Sequence, residues 1–173
     1  MSMDFMDYEM LDIDDDYSEL YYRVECIDTK KNVSCGGYMS ALSVLLSLVM
    51  NIKPNEIDET LDELLSESDD PNAKIFASWI LILGDIPVPK IYSEDKDNKY
   101  CFYREDEFDE VYGVLHDLSE MLDSCTGGAY KLMYKCCDIL NDDILYGDEY
   151  QIVVSKETYE NAFEVEEYEE FCD

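Results

Sequence analysis

The sequence predicts an α+β domain that is mostly helical, with about six helices and a small antiparallel sheet of about three short strands. Apolar residues make up 47% of the chain and aromatic residues 13%, a composition that can bury a core. Long segments repeat their apolar residues at helical spacing, whereas only short segments alternate polar and apolar residues. Glycine, proline and Asp/Asn clusters separate these segments.

The first elements follow from the N-terminal third. Residues 1–16 hold seven acids and no base, so we expect a frayed or edge segment before a single domain over residues 17–173. Residues 20–27 alternate well enough for a strand. After Cys35-Gly36-Gly37, residues 38–52 are apolar on nearly all sides, which predicts a buried helix.

Two further helices are predicted before the middle of the chain. Pro54 suits the first turn of a helix whose apolar stripe runs through residues 57–65. Asp70 is a predicted N-cap, Pro71 the first helical position and Gly84 the helix end. Residues 86–89 are expected to be extended, and a subdivision of the domain near residues 85–98 stays open.

The second half is predicted from the same signals. Residues 100–104 read as a short strand, paired with residues 20–27 or with a strand over residues 150–154. The clearest helix covers residues 106–124. The two glycines at 127 and 128 break the chain before an expected helix over residues 129–145. Ser155 is expected to cap a last, acidic helix over residues 156–171.

Charge excludes several classes of function. Forty-three acids stand against twelve Lys and Arg, a formal charge of −31, which opposes direct nucleic-acid binding and anionic membranes. The longest apolar stretch, residues 41–49, is too short to span a bilayer. Seven cysteines, an odd number with no CxxC pair, indicate reduced thiols. We therefore expect a cytoplasmic protein, in the host cell if the chain is viral, with a basic partner.

The acids are clustered. Residues 55–70, 105–123 and 157–173 each hold eight acids and no Lys or Arg. Carboxylates one helical turn apart lie about 5–6 Å from each other, so rows of them could imitate the phosphates of a nucleic-acid strand. The plainer interpretation is a solvated helical face, although such faces normally mix signs. The candidate partner-binding residues are Asp58, Glu59, Asp62, Glu63, Asp109, Glu110, Asp117, Glu120, Asp123, Glu164, Glu166, Glu167, Glu169 and Glu170.

The overall charge, the many tyrosines among the acids and the tail EVEEYEE at residues 164–170 resemble the DNA-mimic anti-restriction proteins of phages and mobile elements, of the Ocr and ArdA type. This resemblance is one of composition. It implies a non-enzymatic inhibitor that occupies the DNA channel of a basic nucleic-acid-binding defence protein, of the restriction or CRISPR type. Because elongated mimics are often dimers, it also leaves a homodimer open.

Two alternatives stay open beside the mimic. One is an acidic interaction module, viral host-modulating or toxin-neutralising, in which acids steer a basic partner and an apolar groove supplies affinity. Tyrosines 112, 130, 134, 146 and 168 would serve either surface. The other is a cysteine hydrolase with Cys35 as nucleophile and His116 as base. We expect no enzyme activity, and neither catalytic residues, a metal nor a cofactor.

Overall fold

The computed structural model of the chain describes residues 19–57, 61–86, 88–94, 98–162 and 168–171. The predicted acidic segment 1–16 lies outside these residues. The strands are β1 (Glu19–Asp28), β2 (Val33–Gly36), β3 (Lys99–Arg104), β4 (Tyr130–Ile139), β5 (Ile144–Gly147), β6 (Gln151–Ser155) and β7 (Glu169–Glu170). The α-helices are α1 (Tyr38–Met50), α2 (Leu61–Ser66), α3 (Pro71–Leu83), α4 (Lys90–Ser93), α5 (Glu105–Thr126) and α6 (Lys156–Ala162).

The predicted small sheet of three strands is wrong, because the described residues form one antiparallel sheet of seven. Its order is β5-β6-β3-β1-β4-β7, and β2 pairs with β1. The three expected strands are present as β1, β3 and β6, and β3 pairs with both of the others. β1 and β4 are the longest pair, joined over ten residues from Glu19 opposite Ile139 to Asp28 opposite Tyr130.

The helix expected over residues 129–145 is also wrong. Gly127 and Gly128 adopt the left-handed conformation, with φ of 61° and 84°, and end α5. The chain then returns as β4, whose residues alternate between the two faces of the sheet: Leu132 lies in the cluster on one face, and Cys137 and Ile139 lie in the cluster on the other. Pairing with β1 provides hydrogen-bond partners for the backbone N–H and C=O groups of β4.

The last predicted helix is shorter than expected. The Ser155 hydroxyl caps α6 by accepting from the Thr158 amide at 3.2 Å, and the described helix covers Lys156–Ala162, with residues 163–167 outside the described part of the chain. Residues 169 and 170 form β7 at the edge of the sheet, beside β4. Tyr168 and Phe171, on either side of this short strand, are buried, which explains why the tail is held against the sheet rather than in a helix.

Two apolar clusters cover the two faces of the sheet. The larger one joins α1, α2, α3 and α5 to one face through Leu45, Phe76 and Leu118, each fully buried. The smaller one, on the other face, joins Phe102 and Ile152 to Tyr159 of α6. The predicted helix signals act as expected in α3, where Asp70 accepts from the Asn72 amide at 2.8 Å and Gly84 follows the last turn.

Candidate functional site

Helix α5 places apolar and acidic side chains on opposite sides. Its five buried residues pack on the sheet and on α1: Phe108, Val111, Leu115, Leu118 and Leu122. Seven exposed carboxylates occupy the other side, and we call them the carboxylate face: Glu105, Asp106, Asp109, Glu110, Asp117, Glu120 and Asp123. The structure therefore gathers five of the predicted site residues, those between 109 and 123, on one ordered surface.

The carboxylate face carries one sign of charge along its whole length. No Lys or Arg interrupts α5, and no base lies in its last turn. Like charges one turn apart destabilise a helix, and acids near its C-terminal end oppose the helix dipole. The side chains of Asp117 and Glu120 are 65% and 66% exposed, so solvent screens this cost without removing it.

His116 lies at the border of the carboxylate face. Its Nδ1 is 3.6 Å from an oxygen of Asp117 and its Nε2 is 3.8 Å from an oxygen of Glu120, while only 15% of its side chain is exposed. In the described part of the chain, these residues form the one group of three or more His, Cys, Asp or Glu side chains whose possible metal-ligand atoms all lie within 4.8 Å of one another. The expectation of no metal stays a prediction.

The other predicted acids are placed elsewhere or not described. Glu63 is exposed on α2. Glu169 and Glu170 are exposed in β7, and Lys131 donates to Glu170 at 3.1 Å. This tail runs beside α5, because the Phe171 ring lies 5.2 Å from that of Tyr112. Asp58, Glu59, Glu164, Glu166 and Glu167, and the side chain of Asp62, lie outside the described residues.

Most of the tyrosines expected at the binding surface are used in the core instead. Tyr134 lies between Phe108 and Phe171, with ring centroids 5.2 and 4.8 Å away. Tyr112 and Tyr130 pack against the same cluster, and Tyr168 is buried. Tyr146 is the exception, at 39% exposed. The tyrosines in the sequence therefore indicate core packing more than a binding surface.

A pocket of about 420 Å³ opens beside the N-terminal end of α5, and sequence reasoning missed it. Its walls come from the start of α1, the end of α3, the segment through α4 and strands β3 and β6. We call it the tyrosine pocket; its polar lining is Arg23, Tyr38, Tyr92, Cys101, Tyr103 and Gln151. Because these residues are far apart in the sequence, no local pattern could have indicated the site.

Arg23 lies beneath the tyrosine pocket in a buried charge pair. Its Nε is 2.5 Å from Glu25 Oε2 and its Nη1 donates to the Cys101 carbonyl at 2.8 Å. Glu25, whose side chain is 2% exposed, also accepts from the hydroxyls of Ser34 and Tyr159. Burial disfavours the charged guanidinium, but the charge of Glu25 and its hydrogen bond outweigh this and raise the pKa of Arg23.

A second group of acids lies where the carboxylate face meets the tyrosine pocket. Burial, followed by the charges of Glu110, Asp85 and Glu149, raises the pKa of Glu107. The charge of Glu149, with smaller contributions from Asp85 and Glu107, likewise raises the pKa of Tyr150. Glu107 therefore lies close enough to Asp85 and Glu149 to be repelled by their charges, and we call these three residues the acidic rim.

Cys35 and His116, the nucleophile and base of the predicted hydrolase, each contact other residues. Cys35 lies in β2, and its thiol donates to the Cys26 carbonyl at 3.2 Å. His116 contacts the acids of α5. The six described cysteines are all free thiols.

No family model, curated protein or solved structure matches this chain. Within the described ranges, none of the helices combines the length and apolar character needed to cross a membrane.

Gly113 is a position at which the stability of the helix that carries the carboxylate face can be tested. It is exposed in the middle of α5, and a Cβ built there would meet nothing within 4 Å. Since glycine costs a helix interior about 0.5–1 kcal/mol relative to alanine, we expect Gly113→Ala to raise the free energy of unfolding by that amount. Urea denaturation followed by circular dichroism measures it. An unchanged or lower stability would show that α5 is not an ordinary helix at this point.

Proposed function

We propose that this chain is a non-enzymatic inhibitor whose carboxylate face imitates the phosphate row of a nucleic acid. It would occupy the basic groove of a DNA- or RNA-binding defence protein, of the restriction or CRISPR type. The observation that supports the proposal is the set of seven exposed carboxylates on one ordered helix that contains no Lys or Arg. A solvated face with no partner would gain stability from mixed signs.

The spacing of the charges fits the proposal. Glu105 and Asp123 are eighteen residues apart, which corresponds to about 27 Å along a helix axis. Seven charges divide that length into six intervals with a mean of about 4.5 Å, compared with about 3.4 Å of axis per phosphate of a DNA strand, and the widest interval, from Glu110 to Asp117, is about 10 Å. A groove shaped for one strand of nucleic acid would therefore meet a comparable mean density of negative charge.

The order of the scaffold adds to the argument. Five fully or nearly fully buried apolar residues hold α5 on the sheet, so its acids need little ordering when a partner binds. A basic groove that neutralises this array would release the counterions held by the carboxylates, which favours binding as it does with nucleic acid. We propose a reducing, cytoplasmic setting, supported by the free thiols, and leave a homodimer open.

The test is competition between the chain and double-stranded DNA for a basic DNA-binding enzyme. We expect a 20-base-pair duplex to displace the chain. The affinity of the chain for the enzyme should fall by about 10³–10⁴-fold between 50 and 200 mM salt, as it would for seven phosphate contacts. Fluorescence anisotropy of the labelled duplex, with a panel of restriction and CRISPR enzymes, measures both. Failure of the chain to displace DNA from any enzyme at 50 mM salt would contradict the proposal.

The second candidate is an acidic interaction module whose affinity comes from apolar contact. It is favoured by α3, which exposes Ile75, Leu81 and Ile82 at 42%, 57% and 43%. In that case the acids would steer a basic partner without filling its nucleic-acid groove. Double-stranded DNA would then fail to displace the chain from its partner, and binding would weaken far less with salt.

A further inference from the structure

We propose that the tyrosine pocket is a docking site for an aromatic side chain of the partner, flanked in the partner's sequence by Lys or Arg residues that meet the acidic rim. The inference rests on the proposed function insofar as the partner is basic. The pocket's volume of about 420 Å³ lies in the range of sites that bind small ligands, about 300–1,000 Å³. It therefore has room for a large aromatic side chain and adjoining atoms.

The walls of the pocket suit a neutral ring. Tyr38, Tyr92 and Tyr103 line it together with aliphatic residues such as Leu83 and Val88. The Tyr38 hydroxyl donates to the Leu83 carbonyl at 3.2 Å. Because its polar group is used in this way, Tyr38 would contact a ligand through its ring. Aromatic side chains pair favourably by edge-to-face or offset contacts. Burial raises the pKa of Cys101 to about 11, so its thiol is neutral at physiological pH.

The floor of the pocket disfavours a cationic group in the interior. The charge of Arg23 is close enough to favour the ionised forms of Tyr92, Cys101 and Tyr103, against the stronger effect of burial. Arg23 is already paired with Glu25, which also accepts from Ser34 and Tyr159, so a Lys or Arg head pushed to the base would find no unoccupied carboxylate there. A neutral anchor inside with basic residues outside avoids burying an unpaired cation.

The acidic rim supplies the complementary charge outside. Asp85 directly precedes the lining residue Ile86, and Glu149 lies two residues before Gln151. Glu107 links this rim to the carboxylate face, since it interacts with Glu110. The guanidinium of the nearby Arg104 lies over the Tyr21 ring, 5.7 Å from the centroid, and its Nε donates to the Asp148 carbonyl, next to Glu149. With three carboxylates to this one guanidinium, the rim keeps a net negative charge.

Binding of short peptides to the full chain tests the inference. The probes are acetyl-RRWRR-amide, its alanine version acetyl-RRARR-amide, its acidic version acetyl-EEWEE-amide, and free indole. We expect RRWRR to shift the backbone amide signals of Cys101, Tyr103 and Gln151 in ¹⁵N–¹H spectra. Each of the other three probes should bind at least tenfold more weakly.

A blocking variant separates the pocket from the general acidity of the chain. Val88 is 66% exposed, so Val88→Trp fills the mouth without disturbing the core, which circular dichroism checks. We expect it to weaken RRWRR binding at least tenfold. Glu160→Lys, at an exposed position of α6 on the other face of the sheet, is the control and should weaken it less than threefold.

Several results would overturn the inference. Equal binding of RRWRR and RRARR would mean that only surface charge attracts the peptide. Equal binding of EEWEE would remove the role of the rim, and equal binding of indole would make the pocket a small-molecule site. An unaffected Val88→Trp variant would place the peptide elsewhere. None of these results touches the DNA competition test, because Val88→Trp leaves every carboxylate of the carboxylate face in place.

Discussion

Reversing four charges on the carboxylate face, with Asp109, Glu110, Asp117 and Glu120 all changed to Lys, is expected to weaken binding to the basic partner by about a hundredfold or more. Exposed ion pairs contribute roughly 0.2–1 kcal/mol each, and every reversal both removes an attraction and adds a repulsion. Eight units of charge therefore change the binding free energy by several kcal/mol, at 1.4 kcal/mol per factor of ten. The fold should persist, because all four side chains are exposed. DNA-competition titrations measure the loss.

A matched control distinguishes the effect of the carboxylate face on binding from the effect of net charge. Asp138, Asp142, Asp143 and Glu160 are equally exposed and lie off α5, so their reversal changes the net charge by the same amount. We expect less than a fivefold effect from this control. Gly113→Lys, compared with Gly113→Ala, adds a cation at the centre of the face without removing an acid, and should weaken binding severalfold. Equal losses for the two fourfold variants would mean that net charge alone acts, and not an ordered array.

Replacement of Glu25 by Ala is expected to lower the free energy of unfolding by about 3–5 kcal/mol, the usual cost of leaving a buried charge without its partner. Arg23 and Glu25 are only 15% and 2% exposed, so water cannot substitute for the missing carboxylate. The hydroxyls of Ser34 and Tyr159 would lose their acceptor as well. Urea denaturation at pH 7, monitored by circular dichroism, measures the change.

The double variant Arg23→Met with Glu25→Leu is the control for this prediction. Removing both charges leaves no unpaired ion, so much of the lost stability should return. The aromatic stack of Tyr100 and Tyr159, with centroids 3.9 Å apart, would remain to cover the apolar replacements. A Glu25→Ala variant that loses less than 1 kcal/mol would show that the pair adds little to stability.

Local sequence signals are sufficient to predict the helices that have clear capping residues or a long apolar stripe. In α3 the Asp70 cap and Pro71 begin the helix and Gly84 ends it, each acting within one turn, and in α5 the apolar stripe repeats over about four turns. The sequence of β4 favours a helix, because Tyr130, Met133, Tyr134 and Cys137 recur at helical spacing. Both faces of β4 are covered, so the alternation typical of a half-buried strand is weak there. Ten residue pairs with β1, more than a hundred residues earlier, decide its conformation.

The amino-acid sequence by itself determined the excess of negative charge, the positions of the main helices and the segregation of acids from apolar residues along α5, because these depend on composition and on contacts within a few turns. Only the tertiary structure decided the size of the sheet, the tail strand β7, the buried pair of Arg23 and Glu25, and the tyrosine pocket. Each of these joins segments far apart in the chain, and strand pairing and pocket walls depend on register and packing that no local periodicity encodes.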